Sequence, residues 1–146
     1  MSKRYAAHTS VPVQQSRNEI ENLLARYGGT AFAYAQEAGR VIVGFRIKSS
    51  SQRSVAVKME LPMPDPKKHR ESDMPQLQRS CWRSLVLIVK AKLEACASEI
   101  STIEREFMAD IVMPDGRTLT QHLGQQIDHM LTTNVRTPLM LTGATG

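Results

Sequence analysis

Cys81, Cys96, His122 and His129 are the side chains best suited to nucleophilic or metal chemistry, and their spacing argues against both. The cysteines fall fifteen residues apart in one predicted helix, about 22 Å along its axis, far beyond the Cα separation a disulfide allows. Both read as small buried apolar side chains, in surroundings where a thiolate is disfavoured. His122 and His129 share a helix face but stand about 10 Å apart along the axis, too far to ligate one metal by themselves. No metal-finger spacing joins them to the cysteines, and no Gly-rich phosphate loop, nucleophile elbow or HExxH stretch occurs. The expectation is a protein without catalytic residues, metal or cofactor.

Positive charge is the chemistry that remains. Nineteen Lys and Arg against fourteen Asp and Glu give a net charge of +5, which favours polyanionic partners such as nucleic acid. The cations gather in three places. Arg40, Arg46, Lys48 and Lys58 fall on the outward side of two alternating stretches, with Arg53 in the loop between them. Lys67, Lys68 and Arg70 follow in a proline-rich segment, and Arg79, Arg83 and Lys90 lie on one flank of the helix after it. A solvated sheet face with cations guarding its edges is the plainer account of the first group. A phosphate-tracking surface is the functional one, with the loop and helix groups framing an anion site.

The elements that position these cations follow from periodicity. RVIVGFRIK puts Val41, Val43, Phe45 and Ile47 on one side, and SVAVKMEL repeats the pattern with Val55, Val57, Met59 and Leu61. TAFAYAQ before them is a weaker strand, and the short links predict a three-stranded antiparallel meander with one apolar face. Ser16 and Glu19 have capping-box spacing ahead of an amphipathic helix carrying Ile20, Leu23, Leu24 and Tyr27, which Gly28 and Gly29 end.

Trp82, Val86, Val89, Leu93, Cys96, Ile100, Ile103 and Phe107 recur at alternating intervals of four and three, a heptad seam widened by Leu85 and Ile88. Asp73 and Pro75 place the start of this helix near residue 74. Unbroken to about 110 it would reach roughly 50 Å, so the chain is expected to break at 98–102, where Ser101 and Glu104 have capping-box spacing. The seam exceeds what one small sheet needs. Trp82, Val86, Val89, Leu93, Ile100, Ile103 and Phe107 are therefore candidates for a homo-oligomer or partner interface. Pro114, Asp115 and Gly116 make a turn, and Thr118 with Gln121 caps a last amphipathic helix, whose Leu119, Leu123, Ile127, Met130 and Leu131 should pack on the long one.

The fold class predicted is α+β: an N-terminal helix, a three-stranded antiparallel meander, a long helix and a C-terminal amphipathic helix covering one sheet face. Residues 1–10 are expected as a flexible basic arm, 11–137 as one domain with a flexible basic loop at 62–75, and 138–146 as a flexible tail. No run of about 18 apolar residues spans a bilayer, and the polar start MSKRYAAHTS lacks the apolar stretch of a signal peptide. No membrane partner is expected, and the setting is the cytosol.

The stretches TSVPVQQSRNEIENLLARYG and IVMPDGRTLTQHL resemble a family of small proteins encoded by tailed bacteriophages and prophages. The resemblance covers most of the chain. It implies the cytosol of a bacterial host and an accessory role, and brings no catalytic residues. In element order the chain is also similar to double-stranded RNA-binding domains and to the core of Rad52-type strand-annealing proteins, although neither motif is visible. Two functions are therefore expected: nucleic-acid binding through the outward cations, or binding and inhibition of a host protein through an apolar helix stripe or a sheet edge.

Overall fold

The computed structural model describes residues 6–37 and 39–133. Its elements are α1 (Val13–Arg26), β1 (Thr30–Glu37), β2 (Arg40–Lys48), β3 (Ser54–Pro62), α2 (Met74–Ala97), α3 (Ile103–Phe107) and α4 (Leu119–Thr133), with short 3₁₀ turns at Glu71–Asp73 and Met108–Asp110. The protein is α+β, as its periodicities predict.

The three strands form one antiparallel sheet in the order β1-β2-β3. Register pairs Tyr34 with Val43, Gly44 with Lys58 and Arg46 with Ala56. Side chains alternate across a pleated strand, so Val41, Val43, Phe45 and Ile47 share one face, and all four are buried. That face is covered by Ile20, Leu23 and Leu24 of α1, by Trp82, Leu85, Val86, Val89 and Leu93 of α2, and by Phe107 of α3. Each fully buried Leu or Val contributes about 1.5–3 kcal/mol by leaving water. The α2 stripe is therefore the largest single contribution to the core. Edge-to-face packing of Phe45 on Phe107, centroids 5.6 Å apart, closes the end near α3.

The heptad seam is used inside the domain. Trp82, Val86, Val89, Leu93 and Phe107 are at most 1% exposed, so they are core residues and the interface expected on them is corrected. Ile103 packs half-buried at the edge of the core, and Ile100 alone stands in solvent, 79% exposed. The reason is geometric: five apolar positions of the helix fit the width of a three-stranded sheet, and the chain turns before the rest.

That turn falls where the helix length requires it. α2 ends at Ala97, and Glu99 takes a left-handed φ of 62°. The restart is capped by Thr102, whose Oγ1 accepts from the Arg105 N–H at 3.2 Å, so Ser101 is not the cap. Ser101 Oγ donates instead to Glu106 Oε2. At the other end, α1 begins four residues earlier than the Ser16–Glu19 spacing suggests, with Pro12 rather than Ser16 at its N-cap. Ser16 is buried and Glu19 pairs with Arg83 of α2. Gly28 supplies the expected stop at φ 80°, and a Cβ at Gly29 would stand 2.9 Å from the Leu24 carbonyl oxygen.

Residues 6–10, assigned to a flexible arm by sequence, lie against α2. Ala6 is buried and Gln76 Nε2 donates to the carbonyls of Ala7 and Thr9. Residues 1–5 and the expected tail 138–146 lie outside the described residues. α2 starts at Met74 as expected, although Asp73 makes no side-chain cap. Cys81 and Cys96 are half-buried rather than buried.

The sheet's two edges differ. On the β3 side, Val57 bridges to Ile111 and the Val112 N–H donates to the Ala56 carbonyl at 2.9 Å, so the chain after α3 covers the middle of that edge. On the far side of β1, no described strand or bridge pairs. Thr118 and Gln121 form the expected reciprocal box at the start of α4. Beyond it α4 packs against the Met108–Asp110 turn and buries none of its residues, so the expectation that it lies on the long helix is corrected. Among the described residues, no helix is long and apolar enough to cross a membrane.

Candidate binding surface on the outward sheet face

β2 alternates, so burial of its valines forces Arg40, Ile42, Gly44, Arg46 and Lys48 onto the face away from the helices. Register adds Glu37, Ala35 and Ala33 from β1, and Glu60, Lys58 and Ala56 from β3. The face is divided along its length. At one end Arg40 is gripped by two carboxylates, Glu37 at 2.8 Å and Glu60 at 2.9 Å, and these raise the guanidinium pKa further. Arg40 is thereby neutralised and leaves the set of available cations. Sequence reasoning missed this because it ends the first strand at Gln36, whereas β1 extends to Glu37 and brings it opposite Arg40.

At the other end Arg46, Lys48 and Lys58 share the face, and Arg53 follows in the β2–β3 hairpin. No ion pair involves any of the four among the described residues. Arg46 and Lys58 are diagonal neighbours, because Arg46 faces Ala56 while Lys58 faces Gly44. Between them the floor is made of Ala33, Ala35, Ile42, Gly44 and Ala56, a shallow trough of about 400 Å³ with the two cations on its rim. Small side chains make the depression; Gly44 and the alanines leave the sheet backbone close to solvent.

The hairpin that carries Arg53 is held by α3. Glu104 Oε1 accepts from both the N–H and the Oγ of Ser50 at 2.8 Å. A backbone N–H at the start of α3 and Ser50 hold the Glu104 carboxyl below its usual range. The hairpin itself turns through Gln52 at φ 63° and closes with Ser49 N–H to Arg53 O at 2.8 Å. The cationic end of the sheet is thus braced, because α3 and the hairpin are tied to each other.

The remaining predicted cations do not join this surface. Arg83 pairs with Glu19, Arg79 donates to Gln76 Oε1 at 2.7 Å, and Lys90 lines a separate polar groove against α1. All three lie in the helical layer, on the other side of the sheet. Lys67, Lys68 and Arg70 are exposed, in the segment that follows the Pro62 end of β3, near the neutralised Arg40. Of the helix-flank cations expected to frame an anion site with this loop, Arg83 is taken up by Glu19 and Arg79 is engaged by Gln76. Trp82 is buried and unavailable for stacking a base; it packs edge-to-face on Tyr34 at 5.5 Å, with Arg17 over the two rings at 4.6 and 4.1 Å.

His122 Nε2 lies 3.0 Å from the Asp115 carboxylate. The Arg117 N–H first, then His122, lower the Asp115 pKa. Among the described residues no group of three His, Cys, Asp or Glu is placed to hold a metal ion. No protein-family model matches this chain, nor does a curated protein or a solved structure.

Proposed function

We propose that the protein binds nucleic acid through the outward sheet face, without catalysis, and that it serves a phage in a bacterial host. The observation that carries this reading is the group Arg46, Lys48, Lys58 and Arg53, four cations at one end of a braced sheet with no carboxylate paired to them among the described residues. Guanidinium and ammonium groups at strand spacing meet successive phosphates, and such contacts give affinity without sequence choice. The trough between Arg46 and Lys58 offers an apolar floor beside the charge, which suits a sugar or base edge next to a phosphate. The phage setting rests on the resemblance of TSVPVQQSRNEIENLLARYG and IVMPDGRTLTQHL.

The test is fluorescence anisotropy with labelled single- and double-stranded DNA and RNA across a salt series. Affinity should fall steeply with salt, and R46E/K48E/K58E should abolish it while leaving the fold intact. R40E should change affinity far less than R46E, because Arg40 is already paired. Absence of binding to all four at low salt would end this reading.

A second reading is favoured by one observation. Leu123, Ile127, Met130 and Leu131 of α4 are 38–76% exposed, an apolar stripe of the kind that marks a protein-binding surface. On this reading a host protein covers α4, and affinity capture with I127S/L131S as the control separates the two.

A further inference from the structure

We propose that β1 pairs antiparallel with β1 of a second copy, joining two sheets into one of six strands with a continuous outward face. The inference starts from backbone chemistry. A strand has hydrogen-bonding groups on both sides, and those of β1 facing away from β2 meet no described strand or bridge. Every residue of β1 except Phe32 is exposed. Proteins protect such an edge with lysine, proline or a covering segment. Thr30 to Gln36 contains no charged residue and no proline, and only the irregularity at Ala31, φ 55°, interrupts it. The edge that the fold leaves open is the one its sequence leaves unguarded.

Symmetry identifies the occupant. A twofold axis at Tyr34 places Phe32 opposite Gln36 of the second copy and Ala33 opposite its Ala35, with each face of the sheet preserved. In that register Glu37 falls opposite Ala31 and no like-charged residues of β1 are opposed, while Arg17, which lies over the Tyr34 ring on the helical side of the sheet, stands beside the axis. The contact is isologous, each copy offering the same edge. It also stops at two copies, because Ile111 and Val112 occupy the middle of the β3 edge. An unguarded strand on both edges would propagate into a filament; one guarded and one open edge gives a dimer.

Pairing also changes the trough. Ala31, Ala33 and Ala35 line it on the β1 side, so it runs out at the open edge. The second copy continues the floor across the twofold and brings its own Arg46 and Lys58 onto the same face. The doubled cationic surface rests on the nucleic-acid reading above, whereas the strand pairing does not.

The experiment is sedimentation velocity on the full chain with hydrogen exchange on the same samples. The expected result is a mass twice the 16.3 kDa of the chain, with β1 amides that exchange more slowly as concentration rises. A33K/A35K, which sets lysines opposite each other across the twofold, should return the mass to that of one chain with its circular dichroism unchanged. Should that variant fail to fold, exchange at β1 in the native protein still decides. A one-chain mass at every micromolar concentration, or a doubled mass with freely exchanging β1 amides, overturns the proposal. R46E/K58E separates the two readings, since it should abolish nucleic-acid binding and keep the doubled mass. A dimer that binds no nucleic acid refutes the function and leaves the pairing; a monomer that binds it does the reverse.

Discussion

α2 and α4 are both amphipathic helices with apolar residues three and four apart. α2 buries Trp82, Leu85, Val86, Val89 and Leu93 against the sheet, whereas α4 buries none of its residues. Periodicity fixes that a stripe exists and which residues belong to it. It does not say what covers the stripe. For α2 the cover is the apolar face of β2 and β3, already present in the same domain. For α4 the sheet's inner face is filled by the time its chain emerges past Thr118, and its stripe remains in solvent.

Three measurements test this contrast, and a fourth tests the joint between α3 and the β2–β3 hairpin. Trp82→Ala should cost about 3–5 kcal/mol, which lowers Tm by roughly 10–20 °C at this chain length; thermal unfolding followed by circular dichroism checks it. A shift of only a degree or two would mean that α2 is not the principal cover of the sheet. Thr118→Ala removes half of the box that starts α4 and should cost about 1 kcal/mol, seen as a loss of helical signal ahead of the main transition. Its effect should be confined to α4, because that helix shares little packing with the core.

A smaller effect is expected in acid, at the joint between α3 and the β2–β3 hairpin. The folded pKa of Glu104 lies below its ordinary value of 4.5. Its contribution is therefore present above that ordinary value and is lost as pH falls through the lowered folded value. Protection of the Ser50 amide, measured against its intrinsic exchange rate at each pH, should fall over that range, and Glu104→Gln should remove this pH dependence of the protection. The smallest effect belongs to Ile127→Ser with Leu131→Ser, a change within about 0.5 kcal/mol by denaturant unfolding. A loss comparable to that of Trp82→Ala would show that α4 is covered in solution and would dissolve the contrast.

Much of the fold was legible because its signals are local. β2 and β3 follow from strict alternation, the Gly28 stop from the need for a positive φ, and the Thr118–Gln121 box from spacing alone. The break after Ala97 was legible from length, although the residue that caps the restart, Thr102, was not. The Ser16–Glu19 box misled: the same spacing served burial of Ser16 and a pair between Glu19 and Arg83, both of which depend on α2.

The candidate surface was legible in part. That Arg46, Lys48 and Lys58 share a face follows from pleating. That Arg40 is withdrawn from them required Glu37 and Glu60 to converge on it across three strands.

By itself, then, the sequence determined the α+β class, the strands and their inward faces, the approximate ends of the helices and the excess of cations, because sterics, capping and side-chain alternation act over a few residues. Tertiary structure decided which stripe is buried, which cations stay unpaired, and which sheet edge is closed. Those depend on what arrives from distant parts of the chain to cover a face, neutralise a charge or pair with a strand, and no short window of residues contains that information.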